Sequence, residues 1–457
     1  MITPQVHKLC TGTETVSSLI AKDPELAPGD AFKKLYGGHT PSKESIAKAR
    51  EHRDAHTAED LKRARECGKW GPTEPSELFL KLYHDALCTL DHSVASAMVS
   101  PPLMGSFGTI PLTIISVVPD IMRHMSNLIV RADKEVILAT NYWQNSVASK
   151  YITNAMKELS RRAGEGGTKI VMKLEYDRGS PRQVIQNHYI VSQKEYTGKN
   201  VGLPPPEEIP NIDLQVMNYH RPMLGTFHCK YMIVDRKYAV LQSNNIQDND
   251  NLEKMIHLEG PIVDSLYDMA LISWHNKLTP TLPSSDHPEV EGGLGDEGVE
   301  ESVLTGPSTV DSVVHPVGQS SSQANEAMTA NPSSDQLNYQ SQVKGPDEAT
   351  KAFLYSGKQG ISAAQIAHPS PEGALLPEHT ADDPHYDVDI AGEIARVQTS
   401  VSPKPGETRM EAITKHLNHT KNPGFPGNAP PRGTGEEMTP YIPPPDLRAL
   451  PDCDGLP

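Results

Sequence analysis

Two side chains that can bind and attack a phosphate stand two residues apart, His228 and Lys230, at the start of the segment HCKYMIVD. Residues i and i+2 of a strand share one face, so the imidazole and the ammonium are expected side by side, with Cys229 facing the other way. The apolar stretch 231–234 predicts a buried strand whose polar start lies at the sheet edge. A lysine binds phosphate oxygens as a point charge, and a histidine can attack phosphorus or transfer a proton. The pair therefore predicts a site for an anionic phosphate.

Among the other polar residues nearby, some are candidates for the phosphate site and others are expected to have no role in it. Ser243 and Asn245 carry a hydroxyl and an amide that can hold further phosphate oxygens. His257 and His275 are expected to be structural, and His220 is expected in the loop that follows a strand ending at Tyr219. No acidic or His/Cys cluster has the spacing of a metal site, so neither a metal nor another cofactor is expected.

The pattern resembles the HxKxxxxD motif of the phospholipase D superfamily, with His228, Lys230 and Asp235 at its three defining positions. After six intervening residues, QSNN (242–245) is similar to the GSxN of that family, with Ser243 and Asn245 matching its polar residues. Gln242 departs from its glycine, which puts a tight backbone turn there in doubt. Glu253 lies roughly where the family has an acid that orients a histidine across the site.

The resemblance implies a phosphodiesterase or phosphatidyltransferase that acts on phospholipids through a phosphohistidine. His228 would be the nucleophile, Lys230, Ser243 and Asn245 would hold the phosphate, and Asp235 would have a supporting, orienting role. Two alternatives stay open. One is a nuclease of the same superfamily, and the other is a truncated or non-catalytic binding protein.

The given sequence contains one such motif. Residues 225–275 look like long fungal phospholipase D-like proteins, in which a second motif follows a variable linker. The other two HxK triplets lack the aspartate, because Leu282 and Pro426 occupy its position. Since the family's reaction uses two histidines, the resemblance implies that two copies of the chain complete one site as a homodimer, or that the chain is inactive. Whether Pro457 is the true end of the protein is left open.

The elements that must position these residues alternate between strands and helices from 76 to 278. Strands are predicted at 112–118, 135–143, 168–177, 212–219 and 230–235, with helices at 120–133 and 146–163. This order predicts an α/β fold, a phospholipase D-like domain with a mainly parallel or mixed sheet covered by helices.

The flanking regions differ in composition from this domain. Residues 1–75 are polar and predict a helical extension, in which Thr57 and Asp60 have the spacing of a capping box. Residues 279–457 hold 23 of the 40 prolines and no tryptophan, which predicts a long disordered, acidic tail or linker with one or two helical turns near 391–397.

Composition indicates which classes of molecule the protein is expected to bind. The formal net charge is −16, which disfavours a surface that coats nucleic acid, so nucleic acid is a less favoured partner than a phospholipid. The five cysteines show no pairing pattern and indicate reduced thiols. We find no signal-peptide core and no apolar run long enough to cross a bilayer, so the expected location is cytoplasmic, with any membrane contact peripheral.

Overall fold

A computed structural model describes residues 2–38, 56–177, 186–221, 225–249, 251–288, 379–387, 389–400 and 403–414. Nine strands form one mixed sheet: β1 Thr109–Val117, β2 Glu135–Thr140, β3 Ile170–Tyr176, β4 His188–Ile190, β5 Ile212–Arg221, β6 Gly225–Thr226, β7 Tyr231–Val234, β8 Tyr238–Gln242 and β9 Leu252–Glu259. Their spatial order is β1-β9-β8-β7-β2-β3-β5-β4, and β6 pairs with β5.

The sheet is mixed, which is one of the two arrangements predicted, and it is not mainly parallel. Only the pairs β2–β3 and β3–β5 are parallel among the described strands. The strands β7, β8 and β9 follow one another through short connections, and short connections can join only antiparallel neighbours. A parallel pair needs a long crossover, which the chain provides between β2 and β3 and between β3 and β5.

Ten described helices surround the sheet: α1 Pro4–Cys10, α2 Val16–Lys22, α3 Pro28–Tyr36, α4 Ala58–Glu66, α5 Glu77–Cys88, α6 Val118–Val130, α7 Val147–Glu165, α8 Gln193–Tyr196, α9 Ile262–Trp274 and α10 Ile390–Ser400. Short 3-10 turns cover Thr89–Asp91, Val94–Ala97 and Pro101–Leu103.

Strand β2 lies in the middle of the sheet and is buried on both faces. Val136 and Leu138 point into a core shared with α6 and α7, whereas Ile137 and Ala139 point into a core shared with α2, α3 and α9. Alternation along a strand explains this division, and burial on both sides explains why the run EVILAT is almost wholly apolar.

The N-terminal region is helical, as predicted, and it also belongs to the second core. The backbone N–H groups of Ser17 and Ser100 each donate to the carboxylate of Asp268 on α9, both at 2.8 Å. The capping box at α4 is present, with Thr57 and Asp60 bonded to each other's backbone N–H. Residues 39–55 of the predicted helical extension lie outside the described residues.

Most of the predicted tail, residues 289–378 and 415–457, lies outside the described residues. Residues 379–387 and 389–400 depart from the expected disorder because they pack on α6. Arg123 donates to the carbonyl oxygen of His379 at 2.5 Å, and Arg131 pairs with Glu393 at 2.7 Å. Arg396 and Asp387, both buried, pair within the segment at 2.5 Å. Helix α10 contains the predicted helical turns at 391–397.

Within the part of the chain that the structure describes, no helix combines the length and apolar character that crossing a membrane requires.

Candidate functional site

Polar side chains collect at one edge of the sheet, which we call the carboxyl edge. The parallel strands β2, β3 and β5 end there, and Asn141, Asp177 and His220 lie at or directly after those ends. Because β7 runs antiparallel to β2, its N-terminal end reaches the same edge and brings His228 and Lys230 there. This is the edge at which open α/β sheets place their ligands.

The backbone before the strand β7 is fixed by side chains from two neighbouring strands. The N–H of Phe227 donates to Oδ2 of Asp177 at 3.0 Å, and its carbonyl oxygen accepts from Nδ2 of Asn141 at 3.0 Å. Phe227 itself is buried in the core shared with α9. The position of His228, one residue further on, is therefore set by the ends of β2 and β3.

The structure brings His228 and Lys230 together. Nζ of Lys230 lies 3.2 Å from both ring nitrogens of His228 and donates to the carbonyl oxygen of His228 at 3.0 Å. The imidazole is exposed, whereas Lys230 is 8% exposed. Burial lowers the pKa of Lys230, and the nearby Cys229 and Glu253 oppose that change. An ammonium that is poorly solvated and lies at the rim of the sheet is suited to bind an anion.

Cys229 lies between them in the sequence, just before β7, and has a different environment. Its side chain packs in the core shared with α9. Burial raises the pKa of the Cys229 thiol, and the carboxyl of Glu175 raises it further. A thiol with a raised pKa is a poor nucleophile, so the reactive group of this segment is the imidazole.

Ser243 directly follows β8, and Glu253 is the second residue of β9. Both lie at the carboxyl edge. Oγ of Ser243 donates to Oε2 of Glu253 at 2.5 Å and accepts the N–H of Lys254 at 2.9 Å. Asn249 donates to the other carboxylate oxygen at 3.3 Å. Glu253 is thus held by two side chains, and it contributes negative charge close to Lys230.

Asn245 lies on the loop after β8 and is half-buried. Its Nδ2 donates to Gln247 at 3.3 Å. Its Oδ1 is buried and has no hydrogen-bond partner in the described part of the chain. Gln242, which replaces the glycine of the motif, ends β8 as a regular, buried strand residue.

Asp235 lies at the opposite end of β7, away from His228 and Lys230. Its carboxylate accepts the backbone N–H groups of Asp133, Lys134 and Glu135 at 2.7, 2.7 and 2.8 Å. An extended strand advances about 3.3 Å per residue, which places Asp235 roughly 16 Å from Lys230. Asp235 therefore holds the turn before β2, and it is too far from Lys230 to touch a substrate that binds there.

The sequence reading missed Asp177 and Asn141 and placed His220 in a loop. His220 belongs to β5, where it pairs with Thr226. Its Nδ1 lies 2.9 Å from both carboxylate oxygens of Asp177. A usable signal was present, because each of these residues stands at the end of a predicted strand, where polar groups meet at one edge.

One group of potential metal ligands occurs in the described residues, and it lies away from the carboxyl edge, on α5 and before α4. His56 and His84 approach one oxygen of Asp85 at 2.9 and 3.1 Å. Hydrogen bonding between the two rings and the carboxylate is enough to explain this proximity.

Comparison with known proteins gives weak similarities. No family model matches the chain, and no curated protein matches it. NucT from Helicobacter pylori is 18% identical over 37% of this chain and 97% of its own, with a TM-score of 0.24. Phosphatidylserine synthase from Haemophilus influenzae is 13% identical over 39% of this chain and 42% of its own, with a TM-score of 0.22. TrmBL2, an archaeal chromatin protein, is 13% identical over 56% and 95%, with a TM-score of 0.20. Similarity at this level does not establish a shared fold or a function, which must be argued from the residues.

Proposed function

We propose that the protein is a phosphodiesterase of the phospholipase D superfamily type, with His228 as its nucleophile. The observation that carries this proposal is the contact between an exposed imidazole and a largely buried ammonium, 3.2 Å apart at the carboxyl edge. A nucleophile next to a fixed cation is the pair of groups that substitution at an anionic phosphorus requires.

The reaction has two displacements. An imidazole nitrogen of His228 forms a bond to phosphorus while the bond from phosphorus to the leaving oxygen breaks, and that oxygen departs with a proton. Water or an alcohol then forms a new bond to phosphorus and releases the imidazole. Lys230 stabilises the negative charge on the non-bridging oxygens throughout.

Ser243 and Asn245 follow β8, and Glu253 is near the start of β9, so all three lie at the same edge of the sheet as His228. In the proposal Nδ2 of Asn245 donates to one of the remaining phosphate oxygens. The single O–H of Ser243, which donates to Glu253 in the structure, turns to a phosphate oxygen when the substrate binds. Glu253 orients Ser243 through their 2.5 Å hydrogen bond. In this proposal Glu253 acts on Ser243, and not on a histidine across the site as the resemblance implied.

We propose a phospholipid as the substrate, because a formal net charge of −16 repels a nucleic acid more strongly than a single lipid head group. The leaving oxygen also needs a proton donor. The sequence suggested His228 of a second copy of the chain for that role, which would make the active species a homodimer.

The test compares the full chain with His228→Asn on phosphatidylcholine vesicles and on single- and double-stranded DNA, each with and without a chelator. We expect lipid cleavage that survives the chelator and falls at least about 10³-fold in the variant. His287→Asn changes an exposed histidine beyond the sheet and should leave the rate unchanged. Labelled substrate should leave a base-stable phosphoryl group on the wild type only.

Each contrary result has a separate meaning. Unchanged lipid cleavage in His228→Asn would place the chemistry elsewhere. Cleavage of DNA alone would make the protein a nuclease, and activity that the chelator removes would contradict a reaction at an imidazole alone.

A further inference from the structure

A second imidazole, that of His220, lies at the carboxyl edge of the same chain, on the strand β5 that pairs with the β6 segment leading to His228. His220 stands opposite Thr226 in the pairing of β5 with β6, and His228 follows Thr226 by two residues. Residues directly opposite each other in an antiparallel pair project to the same side, so His220 and Thr226 share one face. The short connection between β6 and β7 then brings His228 to the same edge.

One carboxylate fixes both parts of this arrangement. Oδ2 of Asp177 accepts the N–H of Phe227 at 3.0 Å and lies 2.9 Å from Nδ1 of His220. The side chain of Asp177 is 5% exposed, so the carboxylate is shielded from water. The ring of His220 and the backbone that leads to His228 therefore lie on either side of a single oxygen atom.

The two ring nitrogens of His220 differ in their partners. Its Nδ1 is engaged with Asp177, whereas Nε2 has no hydrogen bond to any described residue, and the side chain is 17% exposed. A carboxylate at Nδ1 fixes the tautomer and the orientation of the ring, which leaves Nε2 as the nitrogen that exchanges a proton with a bound molecule.

We infer that His220, positioned by Asp177, is the proton donor to the leaving oxygen at the His228 site. This inference rests on the proposed function. In the first displacement the Nε2 proton of His220 passes to the oxygen that leaves phosphorus. In the second, the neutral ring takes a proton from the attacking water or alcohol, so the protonated ring is restored and no other reactant is needed.

The experiment measures how the loss of His220 depends on the leaving group, in the full chain. An alkoxide needs a proton as it leaves, whereas p-nitrophenolate is stable without one. We expect His220→Asn to lower kcat/KM about 10²–10⁴-fold on a short-chain phosphatidylcholine and less than about tenfold on bis(p-nitrophenyl) phosphate. Asp177→Asn removes only the positioning group and should produce a smaller loss with the same preference.

The controls separate this inference from the function on which it rests. His228→Asn should abolish cleavage of both substrates, and an active His228→Asn would overturn the proposed function itself. Thermal unfolding of His220→Asn shows whether the variant is folded, and the retained p-nitrophenyl activity is an internal measure of intact sites. Equal losses on the two substrates would overturn the inference, since a merely structural role does not distinguish leaving groups.

Mixing variants tests whether both histidines act within one chain. A mixture of His220→Asn and His228→Asn should remain as inactive on the lipid as either alone, because every site lacks one group. Restored activity in the mixture would mean that two chains share a site and would contradict the inference. Full activity of His220→Asn alone would also overturn it and would favour His228 of a second copy as the donor.

Discussion

The two ends of strand β7 carry different parts of one motif and differ in how well their polar groups are satisfied. At the carboxyl edge, His228 is exposed, and in the described structure the ammonium of Lys230 has hydrogen bonds to His228 alone. At the other end, the Asp235 carboxylate is buried and accepts three backbone N–H groups. A group that lacks strong partners can bind a ligand, whereas a group with all its partners stabilises the fold.

The turn that contains Asp235 and Arg236 also has a structural role. Asp235 and Arg236 have φ of 53° and 56°, and the N–H of Lys237 donates to the carbonyl oxygen of Val234 at 3.0 Å, as in a type I′ hairpin turn. Arg236 pairs with the buried Asp264 at 2.5 Å and lies over the ring of Tyr267. The motif thus combines a reactive end with an end that holds the hairpin in place.

The largest effect that this comparison predicts is on activity. Lys230→Met keeps the buried stem and removes the cation, so kcat/KM should fall about 10²–10³-fold. The free energy of unfolding should change by less than about 1 kcal/mol, because the ammonium is poorly solvated and gains little from the fold. Rates and urea unfolding of the same samples check both parts. A large loss of stability with a normal rate per folded molecule would reverse the assignment.

The next effect is on stability, at the other end of the strand. Asp235→Ala removes an acceptor from three buried N–H groups and places alanine at a positive φ, so unfolding should become easier by about 3 kcal/mol. The rate per folded molecule should stay the same. Asp235→Asn is the matched control, since its Oδ1 can still accept from Lys134 and Glu135, and it should lose less. A catalytic defect in folded Asp235→Asn would show that this end takes part in the chemistry.

Much of the fold could be predicted because the strands have apolar runs and the helices have caps. The runs at 135–140 and 170–176 are buried on both faces, and such runs are easily recognised. The direction of each strand could not be predicted from those runs, because hydrophobicity indicates burial and does not indicate which strands pair. The tight turn that makes β7 and β8 antiparallel was also not recognisable. It has two residues with positive φ but contains no glycine, so the sequence has no turn signal there.

The candidate site could be predicted in part. The i, i+2 spacing predicted that His228 and Lys230 meet, and they do so just before β7, where neither residue belongs to the strand. His220 and Asp177 come together only through the pairing of β3 with β5, over 43 positions of sequence, and no local pattern encodes such a pairing. The packing of 379–387 and 389–400 on α6 was missed for the same reason, since Arg131 and Glu393 are 262 positions apart.

The smallest effect concerns the charge that supports Lys230. The Glu253 carboxylate raises the pKa of Lys230 against the larger, lowering effect of burial, so Glu253→Gln should lower that pKa further. Phosphate binding needs the ammonium, and activity is lost as pH rises through its pKa. The alkaline limb of kcat/KM should therefore move to lower pH in the variant, by less than about one unit. The pH dependence of stability has the opposite direction to that of activity. Between the lowered pKa of Lys230 in the folded chain and its pKa in the unfolded chain, the unfolded chain binds more protons, so the free energy of unfolding rises with pH. This pH window is wider in Glu253→Gln, because the folded pKa is lower still. Rate measurements from pH 6 to about 10, with Glu259→Gln at the far end of β9 as the control, decide the matter. An alkaline limb that is the same in Glu253→Gln and Glu259→Gln would mean that Glu253 does not support the charge of Lys230.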